Sequence, residues 1–277
     1  MTTSGGGAGP LHRSNHRIKR LRRLASQRRA RSEERAFVVE GPALVAEALT
    51  VVSDDPAVTI EGLYVELDQS AELAADASEL GIAVHDVAPG VLGSALDTVN
   101  PQPVVAVVSR PAASVADLGI GGEVLVAVDA RDPGNVGTLI RSAEAAGAAG
   151  VVLAGHSVDP TNPKVLRAAA GAGLRLPVIT ESDLGVALQG LRATGRPVVA
   201  TVVTPDAVPY TMVRLTDTAI LLGNERHGLP PNVIDAADVA VTIPLAGPTE
   251  SLNLGVAGSL ICFEALRQRR SGVDTTG

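Results

Sequence analysis

Three short stretches of this 277-residue chain carry residue types suited to holding a ligand. The first is Asp129-Ala-Arg-Asp-Pro-Gly-Asn-Val-Gly137, followed by Arg141 and Glu144. The second is Leu222-Gly-Asn-Glu-Arg-His-Gly228, and the third is Ile243-Pro-Leu-Ala-Gly-Pro-Thr-Glu-Ser-Leu-Asn253. Glycines at such places let a ligand approach the backbone closely. A helix opening just after such a loop offers unpaired N–H groups. Each stretch also has a plainer reading. Asp-Pro-Gly-Asn is good turn chemistry, Gly-Asn-Glu fits a tight turn, and Ser251 or Asn253 can cap the helix that follows. Their joint occurrence in one half of the chain favours a ligand site.

Other residues narrow the chemistry. Cys262 is the only cysteine, which excludes an intramolecular disulfide and a multi-cysteine zinc site. It falls in an apolar helical stretch and reads as core, so no nucleophilic cysteine is on offer. His227 is either a base or a loop-surface histidine. Neither half has a G-x-G-x-x-G fingerprint after a strand or a G-x-x-x-x-G-K-[ST] loop, which argues against dinucleotides and nucleoside triphosphates.

The elements that must position these loops follow a βα rhythm. Near-continuous apolar strands are expected at Val124–Val128, Gly150–Leu153, Val198–Val203, Ile220–Leu222 and Val239–Ile243. Helices are expected over Val136–Ala146, Asn162–Ala170, Leu184–Ala193 and Leu254–Arg270. Such strands suit a parallel sheet covered on both faces. All three loops leave strand carboxyl ends, the edge where open parallel sheets bind ligands. The N-terminal half reads as a smaller α/β unit. Its strands lie at Ala36–Glu40, Ile60–Val65, Ile82–Val87 and Pro103–Ser109, with helices at Pro42–Val51 and Ala71–Leu80. The expected organisation is a disordered tail (1–10), an N-terminal domain (11–110), a linker (111–122) rich in small residues, and a C-terminal domain (123–277).

Charge is unevenly spread. The chain has 23 Lys and Arg against 30 Asp and Glu; ten of those 23 lie between Arg13 and Arg35, opposed only by Glu33 and Glu34, so 13 basic residues remain elsewhere. Ile18, Leu21, Leu24 and Ala25 recur among them at helical spacing, so the segment reads as an amphipathic helix with a basic face. Arg22, Arg23, Arg28, Arg29, Arg31 and Arg35 are read as phosphate contacts, the alternative being a solvated helix. Lys164 and Arg167 are read in the same two ways. Only Phe37, Tyr64, Tyr210 and Phe263 are aromatic, too few for a base-stacking platform. If the polyanion is RNA, phosphate contacts and shape carry its affinity. No apolar run reaches the roughly 18–20 residues of a membrane span, and the basic stretch leads into Phe37-Val38-Val39-Glu40, not an apolar signal region. A cytoplasmic protein without membrane contact or metal is expected.

Taken together, the three loops resemble the signature motifs of the SpoU (TrmH) family of RNA 2′-O-ribose methyltransferases. Asn135, Gly137 and Arg141 match N-x-G-x-x-x-R. Gly223, Asn224, Glu225 and Gly228 match G-N-E-x-x-G. Ile243, Pro244, Ser251, Leu252 and Asn253 match I-P-x(6)-S-L-N. The likeness covers residues 123–270 well. It extends more loosely over Arg17–Glu40 and Gly41-Pro42, which look like the start of the family's substrate-binding domain.

The resemblance implies an α/β fold with a C-terminal trefoil knot, S-adenosylmethionine as cofactor, and a homodimer whose active sites form at the interface. It implies cofactor contacts at Gly223, Ile243 and Leu252, largely through backbone. Arg141 matches the family's catalytic arginine. A guanidinium above pKa ~12 is a poor base, so holding an RNA phosphate is at least as fitting a role; a surface pair with Glu144 is the bland reading. Asn135 is expected to orient Arg141 or the ribose, Glu225 to pair with Arg141, and Ser251 and Asn253 to surround the target hydroxyl. The separate N-terminal domain favours 23S rRNA as substrate. A tRNA substrate and a non-catalytic RNA-binding protein are the alternatives.

Overall fold

The computed structural model describes residues 9–96, 100–119, 121–204 and 207–272. Most of the tail expected to be disordered lies outside them. The chain divides into two compact units, Met1–Pro111 and Ala112–Gly277.

In the first unit, β1 (Ala36–Glu40), β2 (Thr59–Glu66), β3 (Val84–Val87) and β4 (Val104–Ser109) form a sheet of order β1-β4-β2-β3. β4 runs antiparallel to both neighbours, and β2 and β3 are parallel. The expected helices at Pro42 and Ala71 are α3 (Pro42–Asp54) and α4 (Ala71–Glu79). They lie with β1–β4 on one side of the sheet. The other side carries α1 (His16–Ser26), α2 (Arg28–Glu34) and α5 (Val91–Leu96), the last unforeseen in the sequence. Ile18, Leu21 and Leu24 are fully buried there against Tyr64, Leu92, Val105 and Val107.

The basic segment is thus two helices, broken where Gln27 adopts an extended backbone. The break has a reason. Arg31 turns back and donates to the Leu24 carbonyl at 2.8 Å, satisfying a helix-end acceptor that α1 cannot pair internally. Arg31 is only 6% exposed. The basic run alone puts it on RNA phosphate, and its burial corrects that reading.

In the second unit, β5 (Val124–Val128), β6 (Gly150–Ala154), β7 (Val178–Glu181), β8 (Val198–Thr201), β9 (Val208–Pro209), β10 (Ala219–Leu222) and β11 (Val239–Thr242) form a sheet of order β7-β6-β5-β10-β8-β11-β9. Every pairing is parallel. Strand alternation divides the core. Leu125, Leu153, Ile220 and Leu222 face α6 (Pro133–Ala146), α7 (Pro163–Ala168), α8 (Ala172–Arg175) and α11 (Leu254–Ser271). Val126, Val152, Leu221 and Ala200 face α9 (Leu184–Ala193) and α10 (Pro231–Asp235). Both faces are buried, which is why these strands read as unbroken apolar runs.

Local differences have local causes. The helix expected over Asn162–Ala170 stops at Ala168, because Ala170 and Gly171 take left-handed backbone. Residues 112–119 and 121–122, within the stretch read as linker, pack on the second unit. Leu118 is buried, and Arg196 gathers the carbonyls of Gly119, Gly121 and Gly122. No helix among the described residues is long and apolar enough to cross a membrane.

Candidate active site

Because all strands run the same way, the three loops leave β5, β10 and β11 at one edge of the sheet. The first loop opens α6 with Asp132 as N-cap, its carboxylate accepting from the Asn135 N–H at 2.8 Å, and Pro133 at the first turn. Asp129 takes left-handed backbone (φ 52°) and its carboxylate accepts from the His156 N–H at 2.7 Å. The second loop is stitched to the first, for the Asn224 side-chain amide donates to the Asp129 carbonyl at 2.9 Å. It then folds on itself. The Asn224 side-chain oxygen accepts from the Arg226 N–H at 2.9 Å, and its carbonyl accepts from the Gly228 N–H at 2.8 Å. A Cβ on Gly223 would lie 2.4 Å from the Gly228 carbonyl carbon, so only glycine fits at that position.

Asn135 is the junction. Its Nδ2 donates to Glu225 Oε1 at 2.5 Å, and its Oδ1 accepts from Asn253 Nδ2 at 2.7 Å. Asn253 in turn is the N-cap of α11, its Oδ1 accepting from the Val256 N–H at 3.2 Å. The capping reading of Asn253 and the site reading are therefore both realised, one on each end of its amide. α11 reaches this position because Gly255 and Gly258 let it press on α6. Cβ atoms there would meet Thr138 at 2.9 Å and Leu139 at 2.2 Å.

Arg141 stands apart. Its side chain is exposed on α6 and makes no hydrogen bond or ion pair among the described residues. The bland pairing with Glu144 does not occur, because Glu144 pairs with Arg175. The expected pairing with Glu225 and orientation by Asn135 do not occur either, since those two bond each other.

Below the loops lies a cavity of about 440 Å³, within the range of small-ligand sites. Gly223, Ile243, Leu252, Glu225 and Ser251 line it, and Arg141 does not. The sequence reading missed Thr201–Thr204, Leu229, Arg226 and Glu250 in its wall. The first had a signal. The apolar run to Val203 reads wholly as strand, but β8 stops at Thr201 and leaves Val203 64% exposed. His227 lines the cavity with its side chain exposed. Cys262 is buried, and burial pushes its thiol up to about 12; it is no nucleophile. No group of three or more metal-ligating side chains occurs among the described residues.

In the first unit, Arg22, Arg23, Arg28, Arg29 and Arg35 are exposed. Arg23 donates to Glu34 and Arg29 to Glu33, while Arg20 pairs with both Glu34 and Glu61. Arg167 is exposed on α7 of the second unit.

Comparison with known proteins agrees with this layout. The family model for SpoU rRNA methylases matches residues 123–263, and that for the MRM3-like substrate binding domain matches residues 15–106. The chain is 30% identical over 250 residues to the 23S rRNA (guanosine(2553)-2′-O)-methyltransferase RlmP of Bacillus subtilis, covering 90% of this chain and 95% of that one. It resembles the AdoMet-bound rRNA methyltransferase of Sinorhizobium meliloti with a TM-score of 0.80 at 32% identity, covering 92% of this chain and 95% of that one. The SpoU methyltransferase AviRb of Streptomyces viridochromogenes, solved with the cofactor AdoMet, gives a TM-score of 0.80 at 30% identity, with 93% and 100% covered.

Proposed function

The chain belongs to the SpoU rRNA methylase family, and we propose that it transfers the methyl group of S-adenosylmethionine to a ribose 2′-hydroxyl of 23S rRNA. One observation carries the reading: Asn253, Asn135 and Glu225, from three separate loops, form one hydrogen-bonded chain beside a ligand-sized cavity. A purely RNA-binding protein has no need to assemble these polar groups there. The residues present fit the cofactor. Gly223 presses backbone on backbone, leaving main-chain groups to meet a nucleoside, and Leu222, Leu229 and Leu254 give the cavity apolar walls. When bound, S-adenosylmethionine supplies a methyl group activated by a neutral thioether leaving group. The protein's task is then alignment, which is worth on the order of 7–11 kcal/mol in favourable cases.

Gly223, Ile243 and Leu252 hold the cofactor, largely by backbone. Asn135, Glu225, Ser251 and Asn253 surround the target ribose. Arg141, without a partner among the described residues, anchors an RNA phosphate. Arg22, Arg23, Arg28, Arg29, Arg35 and Arg167 take further phosphates and orient the RNA. The working form is a homodimer with active sites at its interface. The reading is supported by Arg141 lying outside its own chain's cavity and by a stripe of exposed apolar residues on α11: Val256 (46%), Leu260 (40%) and Phe263 (49%). The C-terminal segment forms a trefoil knot, a reading supported by late strands β10 and β11 being inserted between strands laid down earlier. The site of action is the cytoplasm.

The test is transfer of radiolabelled methyl from S-adenosylmethionine to 23S rRNA, 16S rRNA and bulk tRNA, with mapping of alkali-resistant linkages. A resistant dinucleotide in 23S rRNA is expected. Label confined to tRNA moves the substrate class, and label in none with cofactor bound points to an assembled particle or a binding protein.

A further inference from the structure

The hydrogen-bonded chain at the site has a fixed polarity, and its polarity can be read from one end. A backbone N–H only donates. The Val256 N–H donates to Asn253 Oδ1, so the Asn253 amide must present its Nδ2 to Asn135. Asn135 therefore accepts through Oδ1 and presents its own Nδ2 to Glu225. Glu225 Oε1 is thereby held as an acceptor. The other carboxylate oxygen, Oε2, accepts nothing from the described residues, and Glu225 is among the residues that line the cavity. The helix cap of α11 thus sets, three groups away, a donor against Glu225 and leaves its second oxygen open.

From this we infer that Glu225 is the proton acceptor of the reaction, taking the ribose 2′-hydroxyl proton on Oε2, and that Asn253 and Asn135 are positioning residues. The inference rests on the methyltransferase reading above. As the 2′-oxygen forms its bond to the methyl carbon, the carbon–sulfur bond breaks and its electron pair stays on the neutral thioether. The O–H bond breaks with its pair kept by oxygen, and the proton passes to Glu225 Oε2. Water takes it up once the product leaves. Neither an oxidant nor a metal is needed. A carboxylate suffices because the methyl group is already activated, so the hydroxyl needs its proton removed only as its oxygen attacks. A guanidinium holding its proton offers no such acceptor.

The test compares wild type, E225Q and N253D under single-turnover conditions on the mapped RNA across acid to neutral pH, with S-adenosylhomocysteine affinity measured by calorimetry. E225Q keeps the shape and the acceptor for Asn135 but has no site for a proton. It is expected to lose about 100-fold or more in rate with S-adenosylhomocysteine affinity unchanged. Its residual rate is expected to lack the fall on acidification that wild type shows. N253D still caps α11 but reverses the polarity facing Asn135, so it is expected to lower the rate, by less than E225Q, with fold and product affinity retained. A wild-type-like rate in E225Q, or the same acid limb in E225Q as in wild type, overturns the assignment to Glu225. Full activity in N253D overturns the positioning role. If wild type binds no S-adenosylhomocysteine, the methyltransferase reading itself fails, which is a different result from a silent E225Q.

Discussion

Arg269, near the end of α11, donates to the carboxylate of Glu123, which lies 146 residues earlier and is fully buried at the entry to β5. A second guanidinium nitrogen donates to the Ala146 carbonyl at the end of α6. The last helix is thus tied to the first strand and first helix of its unit. Glu123 Oε1 has no partner among the described residues, so the carboxylate depends on Arg269. Arg269→Met removes the charge that offsets a buried anion and is expected to cost about 3–5 kcal/mol in denaturant unfolding. A loss below about 1 kcal/mol shows that the pair contributes little to holding the helix.

The same pair gives a pH signature. Burial raises the Glu123 carboxyl above the ordinary carboxylate range, although Arg269 pulls the other way. The folded state then holds this proton more tightly than the unfolded state. Its contribution to stability is fully present below the ordinary range and is lost as pH rises through the raised value. Glu123→Gln removes the dependence. The stability of E123Q relative to wild type is expected to increase as pH rises through that window, and parallel curves for the two proteins sink the idea.

Much of this is legible in residue order. The apolar runs at Val124, Gly150, Ile220 and Val239 read as buried strands because both sheet faces are covered. The three loops stand out because their polar residues sit just past those strands. What cannot be read is what depends on distant partners. Asn135 bonds Glu225 and Asn253 across 90 and 118 residues, so its expected link to Arg141 concerned neighbours that only the fold decides. Arg31 looks like every other arginine in a basic run. Only the break at Gln27, which lets the chain fold back, shows that its guanidinium caps α1. The place of β10 between β5 and β8 leaves no mark on periodicity at all.

That difference among the arginines is measurable. Replacing Arg22, Arg28, Arg29 and Arg35 together is expected to flatten the salt dependence of RNA binding, by roughly 0.7–0.9 in log–log slope for each phosphate no longer neutralised. Arg31→Ala is expected instead to lower the melting temperature of the protein, because the Leu24 carbonyl loses its donor. An unchanged slope in the first variant places the RNA elsewhere on the chain.

Gly223→Ala tests the cavity wall. A methyl group 2.4 Å from the Gly228 carbonyl carbon forces the loop apart. S-adenosylmethionine affinity measured by calorimetry is expected to fall about ten-fold or more, equivalent to about 1.4 kcal/mol, with far-ultraviolet circular dichroism unchanged. Wild-type affinity in this variant means that the loop gives way without disturbing the ligand.

Arg141 decides how the site is completed. Arg141→Ala is expected to abolish methyl transfer while leaving cofactor binding and association state intact, since the side chain touches neither the cavity nor a polar partner among the described residues. Mixing R141A with E225Q then separates two arrangements. If Arg141 serves the partner's cavity, a mixed dimer holds one site in which both residues are native. Random re-association restores about a quarter of the sites, because half of the dimers are mixed and each has one intact site of two. If Arg141 serves its own chain, every site lacks one residue and mixing restores nothing. Recovery after mixing therefore places the arginine across the interface. Its absence, with mixed dimers verified by mass spectrometry, places each complete site within a single chain.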